Sequence, residues 1–253
     1  MTQNRFARQL AELDADERRL AGAAIAAAQR TFAGFEERPG SEYHKAPGLT
    51  PAETWAKVAE DLGRLSALAT LEGYRDEPLE VADIELIHRG IFEPVFGEKT
   101  LSLRSARQDE VTYPIVLGDP EHPRLSARRG SGGKQVRQNL GKALKVFERE
   151  VAEVASRPPR DRPTVREAAL PATKLYAKAI GIHPFFDGNG RTAWAVLSYA
   201  LQRCGLVEVA VAPTSFTRWA LGRALRRDGS QSYEPLAGLV AETIKNSSLE
   251  SSA

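Results

Sequence analysis

The chain has 253 residues, 42% of them hydrophobic, which is enough for one sizeable buried core and predicts a single globular unit. Its net charge of +2, with acidic and basic residues interspersed, indicates neither a nucleic-acid-binding stripe nor a polybasic membrane patch. The single cysteine, Cys204, excludes an internal disulfide framework and favours a reducing cytoplasm.

The N-terminal part of the chain is predicted to be helical. Apolar residues at three- and four-residue spacing predict a helix from about residue 5 to about residue 30. Its apolar run is too short and too alanine-rich to span a bilayer, and no leader with a cleavage site is expected before it. After a Gly/Pro-rich break, Thr50 and Glu53 form a capping box, so a second helix is predicted from there to about residue 71.

The middle of the chain contains the one stretch with a strand pattern. A third helix is predicted over residues 81–92, and the following residues 100–117 alternate apolar and β-branched side chains around a polar centre, which predicts a β-hairpin. After a glycine-rich connector, helical periodicity returns, and Thr164 and Glu167 form another capping box. Further helices are predicted at about residues 190–204, 215–227 and 233–245. The expected fold class is therefore all-α, with one small β-hairpin.

The segment HPFFDGNGRT, residues 183–192, lies between two of these predicted helices. Gly188 and Gly190 permit a turn that leaves backbone N–H groups converging at the start of the next helix, where they predict an anion site. Asp187 offers one carboxylate, which is enough for Mg²⁺ when phosphate oxygens and water complete its shell.

The same segment carries two further side chains that could take part in catalysis. His183 is a candidate general base because an unperturbed imidazole has a pKa of about 6.5, and Arg191 can bind phosphate oxygens through its planar fork. Phe185 and Phe186 are predicted to anchor the loop in the core, and His88 is expected to pack near it. Each feature alone fits an ordinary helix-ending turn, but their combination within ten residues predicts phosphoryl or nucleotidyl transfer.

HPFFDGNGR resembles the signature of the Fic family, His-x-Phe-x-Asp/Glu-Gly-Asn-Gly/Lys-Arg, over nine positions. The flanking helices resemble that family's helical core, and the predicted hairpin resembles its flap, which docks a target by main-chain pairing. The resemblance covers about residues 50–245, so residues 1–49 are assigned to an N-terminal helix and connector and residues 246–253 to a disordered tail. It implies transfer of a nucleoside monophosphate, most often AMP from ATP, to a Ser, Thr or Tyr hydroxyl of a target protein.

The resemblance also implies a role for each residue of the loop. His183 deprotonates the target hydroxyl, and Asp187 holds Mg²⁺ on the α and β phosphates of the nucleoside triphosphate. The residues expected at the phosphates are Gly188, Asn189, Gly190 and Arg191. The chain is accordingly expected to be a protein adenylyltransferase-like enzyme.

Two positions depart from the family pattern. Trp194 stands where nucleotidylating members usually have a second arginine, and it is expected to project beside Arg191 towards the same pocket wall. Glu72 resembles the glutamate of the family's inhibitory motif, Ser/Thr-x-x-x-Glu-Gly/Asn, although Leu68 occupies the Ser/Thr position. Glu72 is therefore a candidate inhibitory residue that we expect to act as a weak brake, while Gly73 equally fits an ordinary helix stop.

Two alternatives to nucleotidyl transfer stay open. One is a Fic-type enzyme that transfers a different phosphate-linked group, or that removes AMP with Glu72 positioning a water. The other is a nucleotide-binding or interaction module that has lost turnover. The intact His183 argues against the module, whereas Trp194 keeps this alternative open.

Overall fold

The fold is described from a computed structural model, and its regular structure is almost entirely helical. The structure describes residues 5–32, 48, 50–96, 101–104, 115–116, 127–128, 133–206, 215–226 and 231–250. Within these ranges it contains eight α-helices and one antiparallel pair of two-residue strands, β1 (Ile115–Val116) and β2 (Ala127–Arg128), so the all-α prediction is confirmed. The helices are α1 (Ala15–Phe32), α2 (Pro51–Tyr74), α3 (Val81–Phe92), α4 (Gly133–Ala155), α5 (Val165–Ile182), α6 (Asn189–Arg203), α7 (Ser215–Ala224) and α8 (Glu234–Glu250).

Side-chain caps fix the start of two of the longer helices. Before α2, the Thr50 hydroxyl accepts the N–H of Glu53 at 3.3 Å, and the Glu53 carboxylate accepts the N–H of Thr50 at 2.7 Å. Thr164 and Glu167 make the same reciprocal pair before α5. Each pair satisfies N–H groups that a helix start otherwise leaves without a partner. Both predicted capping boxes are confirmed.

The N-terminal helix starts at Ala15 and not at about residue 5. The preceding residues form two short 3-10 turns, Arg5–Ala7 and Leu10–Glu12. Asp14 caps the helix, because its carboxylate accepts the N–H of Glu17 at 2.9 Å while Glu17 accepts the N–H of Asp14 at 3.3 Å. The apolar spacing in the sequence continues across this cap, so periodicity alone placed the start too early.

The core is built around α2, which packs against both α1 and α6. Phe6 and Leu13 of the N-terminal segment lie in the same buried cluster as Leu62 and Leu65 of α2. The buried residues within positions 5–32 therefore share one hydrophobic core with α2. In addition, α5 packs against α6, and α3 contacts α6. This packing brings the loop between α5 and α6 next to α3.

The predicted hairpin within residues 100–117 is not found in the described part of the chain. Ile115 and Val116 do form a strand, but it pairs with Ala127 and Arg128, and residues 105–114 lie outside the described ranges. Arg104 directs its backbone N–H to the carbonyl of Pro184 at 2.8 Å. Arg104 therefore uses its main chain to bind the loop after α5.

The last helix extends further than the sequence indicated. We predicted its end at residue 245 and a disordered tail over 246–253, whereas α8 continues to Glu250; residues 251–253 lie outside the described ranges. Among the described helices, none combines the length and apolarity that crossing a membrane requires.

Candidate active site

A side chain of the loop itself closes the turn between α5 and α6. Asn189 is buried at the start of α6, where its Oδ1 accepts the N–H of Phe185 and its Nδ2 donates to the carbonyl of Phe185, both at 2.9 Å. The amide is therefore used to hold the backbone of the loop. That Asn189 also binds the phosphates stays a prediction.

Only one of the two phenylalanines anchors the loop. Phe185 is fully buried and stacks on the ring of His88, with 3.6 Å between centroids and 5° between planes. Phe186 is 51% exposed, so its predicted anchoring role is wrong. Adjacent side chains in this turn point in different directions, and the sequence pattern does not distinguish them.

His88 connects α3 to the loop, as expected from its position near the signature. It is fully buried, and its Nδ1 lies 2.9 Å from the hydroxyl of Thr192. That hydroxyl donates to the carbonyl of Gly188 at 3.1 Å, and a hydroxyl has only one proton to give. We therefore assign the Nδ1–H tautomer to His88. Thr192 could not be identified from the sequence, because a threonine inside a helix carries no signal of this kind.

The residues predicted to bind an anion lie at the start of α6. Gly188 adopts a left-handed conformation with φ of 73°, and its N–H donates to the Asp187 carboxylate at 2.6 Å. The first N–H groups of a helix have no acceptor within the helix and carry its positive dipole end. Gly190 and Asp187 are exposed there. The loop thus offers a helix N-terminus and a carboxylate that solvent can reach.

Arg191 is held at this site by aromatic rings. Its guanidinium carbon lies 4.9 Å from the centroid of Trp55 and 6.0 Å from that of Phe92. An aromatic face attracts a cation. The two rings therefore help to place the guanidinium of Arg191 near the N-terminus of α6.

His183 has a backbone conformation that is rare for its residue type. It follows the last residue of α5 with φ of 52° and ψ of 65°, which is the left-handed region. For a residue with a side chain this conformation costs about 1–2 kcal/mol relative to the right-handed one. Arg104 binds this strained turn, with Nε 2.7 Å from the carbonyl oxygen of His183 and Nη2 3.3 Å from that of Ile182.

The imidazole of His183 is mostly buried and uncharged at neutral pH. Burial and the Arg104 cation lower the pKa of His183 to about 4, although the Asp187 carboxylate acts in the opposite direction. Its buried Nδ1 has no hydrogen-bond partner among the described residues. A neutral imidazole has a lone pair that can accept a proton.

The signature and the geometry of this loop agree with a known family. The model of the Fic/DOC family matches residues 78–201. This part of the chain is a Fic domain. No curated protein sequence matches the chain. The match therefore rests on the family model and on similarity to solved structures.

Three solved Fic structures illustrate that similarity. A Fic domain containing signaling protein from Bacteroides thetaiotaomicron superposes with a TM-score of 0.58 at 14% identity, covering 94% of this chain and 90% of that protein. BepC from Bartonella tribocorum, with bound AMPPNP, has a TM-score of 0.52 at 18% identity, covering 85% and 96%. IbpAFic2 covalently tethered to Cdc42 has a TM-score of 0.53 at 15% identity, covering 91% of this chain and 64% of that one. At these identities the similarity shows the fold.

Trp194 does not line the wall of the Fic loop. Its side chain is 3% exposed and belongs to the main hydrophobic cluster. The expectation that it lies at an open pocket wall is therefore wrong. The two residues lie one helical turn apart, but Arg191 contacts Trp55 while Trp194 is packed inside the core.

Glu72, the candidate inhibitory residue, lies at the end of α2 that is farther from Arg191. Trp55, near the start of α2, contacts Arg191, near the start of α6, whereas an added Cβ on Gly73 would meet the backbone of Tyr199 and Arg203. The two helices thus run in the same direction, and the end of α2 lies roughly 12–18 Å along α6 from Arg191, at 1.5 Å per residue.

The partners of Glu72 are near the chain's N-terminal segment. Its carboxylate binds Arg5 at 2.9 Å and Arg75 at 3.4 Å. Arg5 also binds Asp83, and Arg75 also binds Glu17. Glu72 therefore ties the N-terminal segment to α2. The sequence could not reveal this, because Arg5 and Glu72 are far apart in the chain.

Proposed function

We propose that this Fic domain transfers a nucleoside monophosphate, with ATP as the first donor to test, to a Ser, Thr or Tyr hydroxyl of a target protein. The observation that carries the proposal is a neutral, mostly buried imidazole, His183, on the loop that leads into the N-terminus of α6. A proton acceptor and an anion-binding helix start on one short loop suit attack of a hydroxyl on a phosphate.

The reaction follows from these groups. His183 accepts the proton of the target hydroxyl as its oxygen forms a bond to the α-phosphorus. The bond from the α-phosphorus to the oxygen bridging the β-phosphate breaks, and pyrophosphate leaves. Arg191 and the first N–H groups of α6 stabilise the negative charge that moves onto the phosphate oxygens. Nearly all of this catalysis consists of positioning and electrostatic stabilisation.

The loop fits a magnesium ion only if a bound nucleotide supplies further ligands. Asp187 is an exposed carboxylate, and within the described ranges no three His, Cys, Asp or Glu side chains form a metal-binding group. A site with a single carboxylate needs phosphate oxygens and water to complete the octahedral shell of Mg²⁺. Asp187 would hold the ion together with the nucleotide, and the ion would neutralise part of the phosphate charge.

The relatives support both substrates of the proposal. BepC carries a bound nucleotide analogue, AMPPNP, and IbpAFic2 is covalently tethered to a protein, Cdc42. A nucleotide and a protein chain are the two partners that the loop chemistry requires.

Trp194 favours a second candidate, the transfer of a different phosphate-linked group. It occupies the place of the second signature arginine and is buried in the core, so it adds no cation at the γ-phosphate end of a nucleotide. A donor that lacks a γ-phosphate would not need that cation. By contrast, removal of AMP with help from Glu72 has no support, because Glu72 lies at the far end of α6 from Arg191.

The test is a comparison of nucleotides labelled at the α or the γ phosphate, incubated with the protein alone and with its own cell lysate. Covalent label from the α position only supports nucleotidyl transfer. Label from the γ position indicates phosphorylation and refutes the nucleotidyl proposal. No covalent label from any nucleotide, despite measurable nucleotide binding, refutes the nucleotidyl proposal and leaves a binding module or transfer of a different phosphate-linked group.

Two loop variants separate proton transfer from binding. His183→Ala should lower the initial rate about 10²- to 10⁴-fold, as expected for loss of a general base, and leave nucleotide affinity nearly unchanged. Asp187→Ala should weaken binding of the nucleotide in the presence of Mg²⁺ but not in the presence of a chelator. Asp16→Ala, which removes an exposed carboxylate on α1, is the matched control and should change neither quantity.

A further inference from the structure

One residue outside the Fic signature binds the backbone at the end of α5. Arg104 donates from Nε to the carbonyl of His183 at 2.7 Å and from Nη2 to the carbonyl of Ile182 at 3.3 Å. Its own N–H donates to the carbonyl of Pro184 at 2.8 Å. Three consecutive carbonyl groups, of residues 182, 183 and 184, are thus bound by a single residue.

The chain needs these donors because it cannot end α5 in the usual way. The last four carbonyl groups of a helix have no partner within it, and a left-handed glycine followed by a residue with an N–H commonly satisfies some of them. Here the left-handed residue is His183, and its N–H reaches only Ala179, at 3.2 Å. The next residue is Pro184, which has no N–H to donate. The Arg104 side chain supplies the missing donors.

The charge of Arg104 suits the same position. A helix C-terminus carries a partial negative charge, so a guanidinium there is favourable. The charged groups that act on the imidazole of His183 are Arg104, which disfavours its protonated form, and Asp187, which favours it. Loss of Arg104 therefore removes one of the two charges that set the state of this ring.

We infer that Arg104 is the positioning residue that holds His183 in its left-handed conformation for proton transfer from the target hydroxyl. This inference rests on the proposed function, because the hydroxyl is the substrate named there. Arg104 acts on the reaction through the backbone of His183 and Ile182. A planar fork can bind two neighbouring carbonyls at once, whereas the ammonium of a lysine is a point charge that cannot match both directions.

The kinetic test uses Arg104→Gln and Arg104→Lys, with Arg137→Gln as the matched control. Arg137 is a 63% exposed arginine on α4 that pairs with Glu85. In Arg104→Gln, kcat for transfer should fall about 10²-fold, as a misplaced catalytic group predicts, while KM for the nucleotide changes less than about threefold. Arg104→Lys should be intermediate, and Arg137→Gln should match wild type. An unchanged kcat in Arg104→Gln would overturn the inference.

A second readout needs no transfer activity. In Arg104→Gln, the backbone amides of His183 and of residues 185–187 should exchange with solvent faster. An NMR titration of the His183 ring should show its pKa rising from about 4 towards the value of a free imidazole. If wild type labels no substrate, the proposed function fails, but these two measurements still decide whether Arg104 positions the loop. If kcat falls while exchange and titration stay as in wild type, Arg104 acts in another way and the inference is wrong.

Discussion

We expect Glu72→Gln to destabilise the fold without activating the enzyme. The side chain of Glu72 is 5% exposed, and its two oxygens bind Arg5 and Arg75, which are 25% and 30% exposed. The glutamine has nearly the same shape, keeps one acceptor oxygen and loses the charge. These contacts link the N-terminal segment to α2, so their loss should lower the free energy of unfolding.

The expected loss of stability depends on which ion pairs Arg5 and Arg75 keep. Loss of a hydrogen bond to a charged group costs about 1.5–3 kcal/mol, and breaking a buried pair so that one charge is left alone costs about 3–5 kcal/mol. Arg5 keeps Asp83, and Arg75 keeps Glu17, so neither cation is left alone. The lower range therefore applies, and we expect a loss of about 2 kcal/mol.

The assay combines urea unfolding with the initial rate of self-modification. Glu153→Gln is the control, because Glu153 is 66% exposed and pairs with Arg149 on the surface of α4; it should change stability by less than about 0.5 kcal/mol. The transfer rate of Glu72→Gln should stay within about twofold of wild type. A rise of tenfold or more with unchanged stability would show that Glu72 reaches the nucleotide site, and our placement of it would be wrong.

Two further outcomes are expected from the loop. Gly188→Ala should lower the free energy of unfolding by about 2–4 kcal/mol, since Gly188 has a positive φ and an added Cβ would lie 2.6 Å from Cζ of Phe92. The control Gly190→Ala should be neutral or stabilising, because nothing lies within 4 Å of its added Cβ. Equal losses in the two variants would contradict this prediction. Because the folded pKa of His183 is about 4, only the unfolded chain binds its proton as pH falls from about 6.5, so the folded state loses about 1.4 kcal/mol per pH unit down to about pH 4. Between pH 7 and pH 5, urea unfolding should therefore show wild type losing about 2 kcal/mol more than His183→Gln, and parallel curves would show that the imidazole is not held neutral.

The sequence by itself determined the features that depend on near neighbours. Thr50 with Glu53 and Thr164 with Glu167 fixed two helix starts, because a capping box joins residues only three positions apart. The loop HPFFDGNGR could be recognised because its anion site, carboxylate and imidazole lie within one short segment between helices. The all-α class followed from apolar spacing, which is also a local signal.

The tertiary structure decided which partner each side chain found. Asn189 turned out to hold Phe185, Trp194 to fill the core and Glu72 to bind Arg5, 67 positions away in the chain. Arg104 reaches His183 across 79 positions. Such contacts depend on how whole helices pack, and the same side chain can satisfy its charge or its hydrogen bonds with any partner that packing brings near. The sequence therefore specified the chemical groups of the loop, and only the fold specified which of them are exposed and which hold the loop in place.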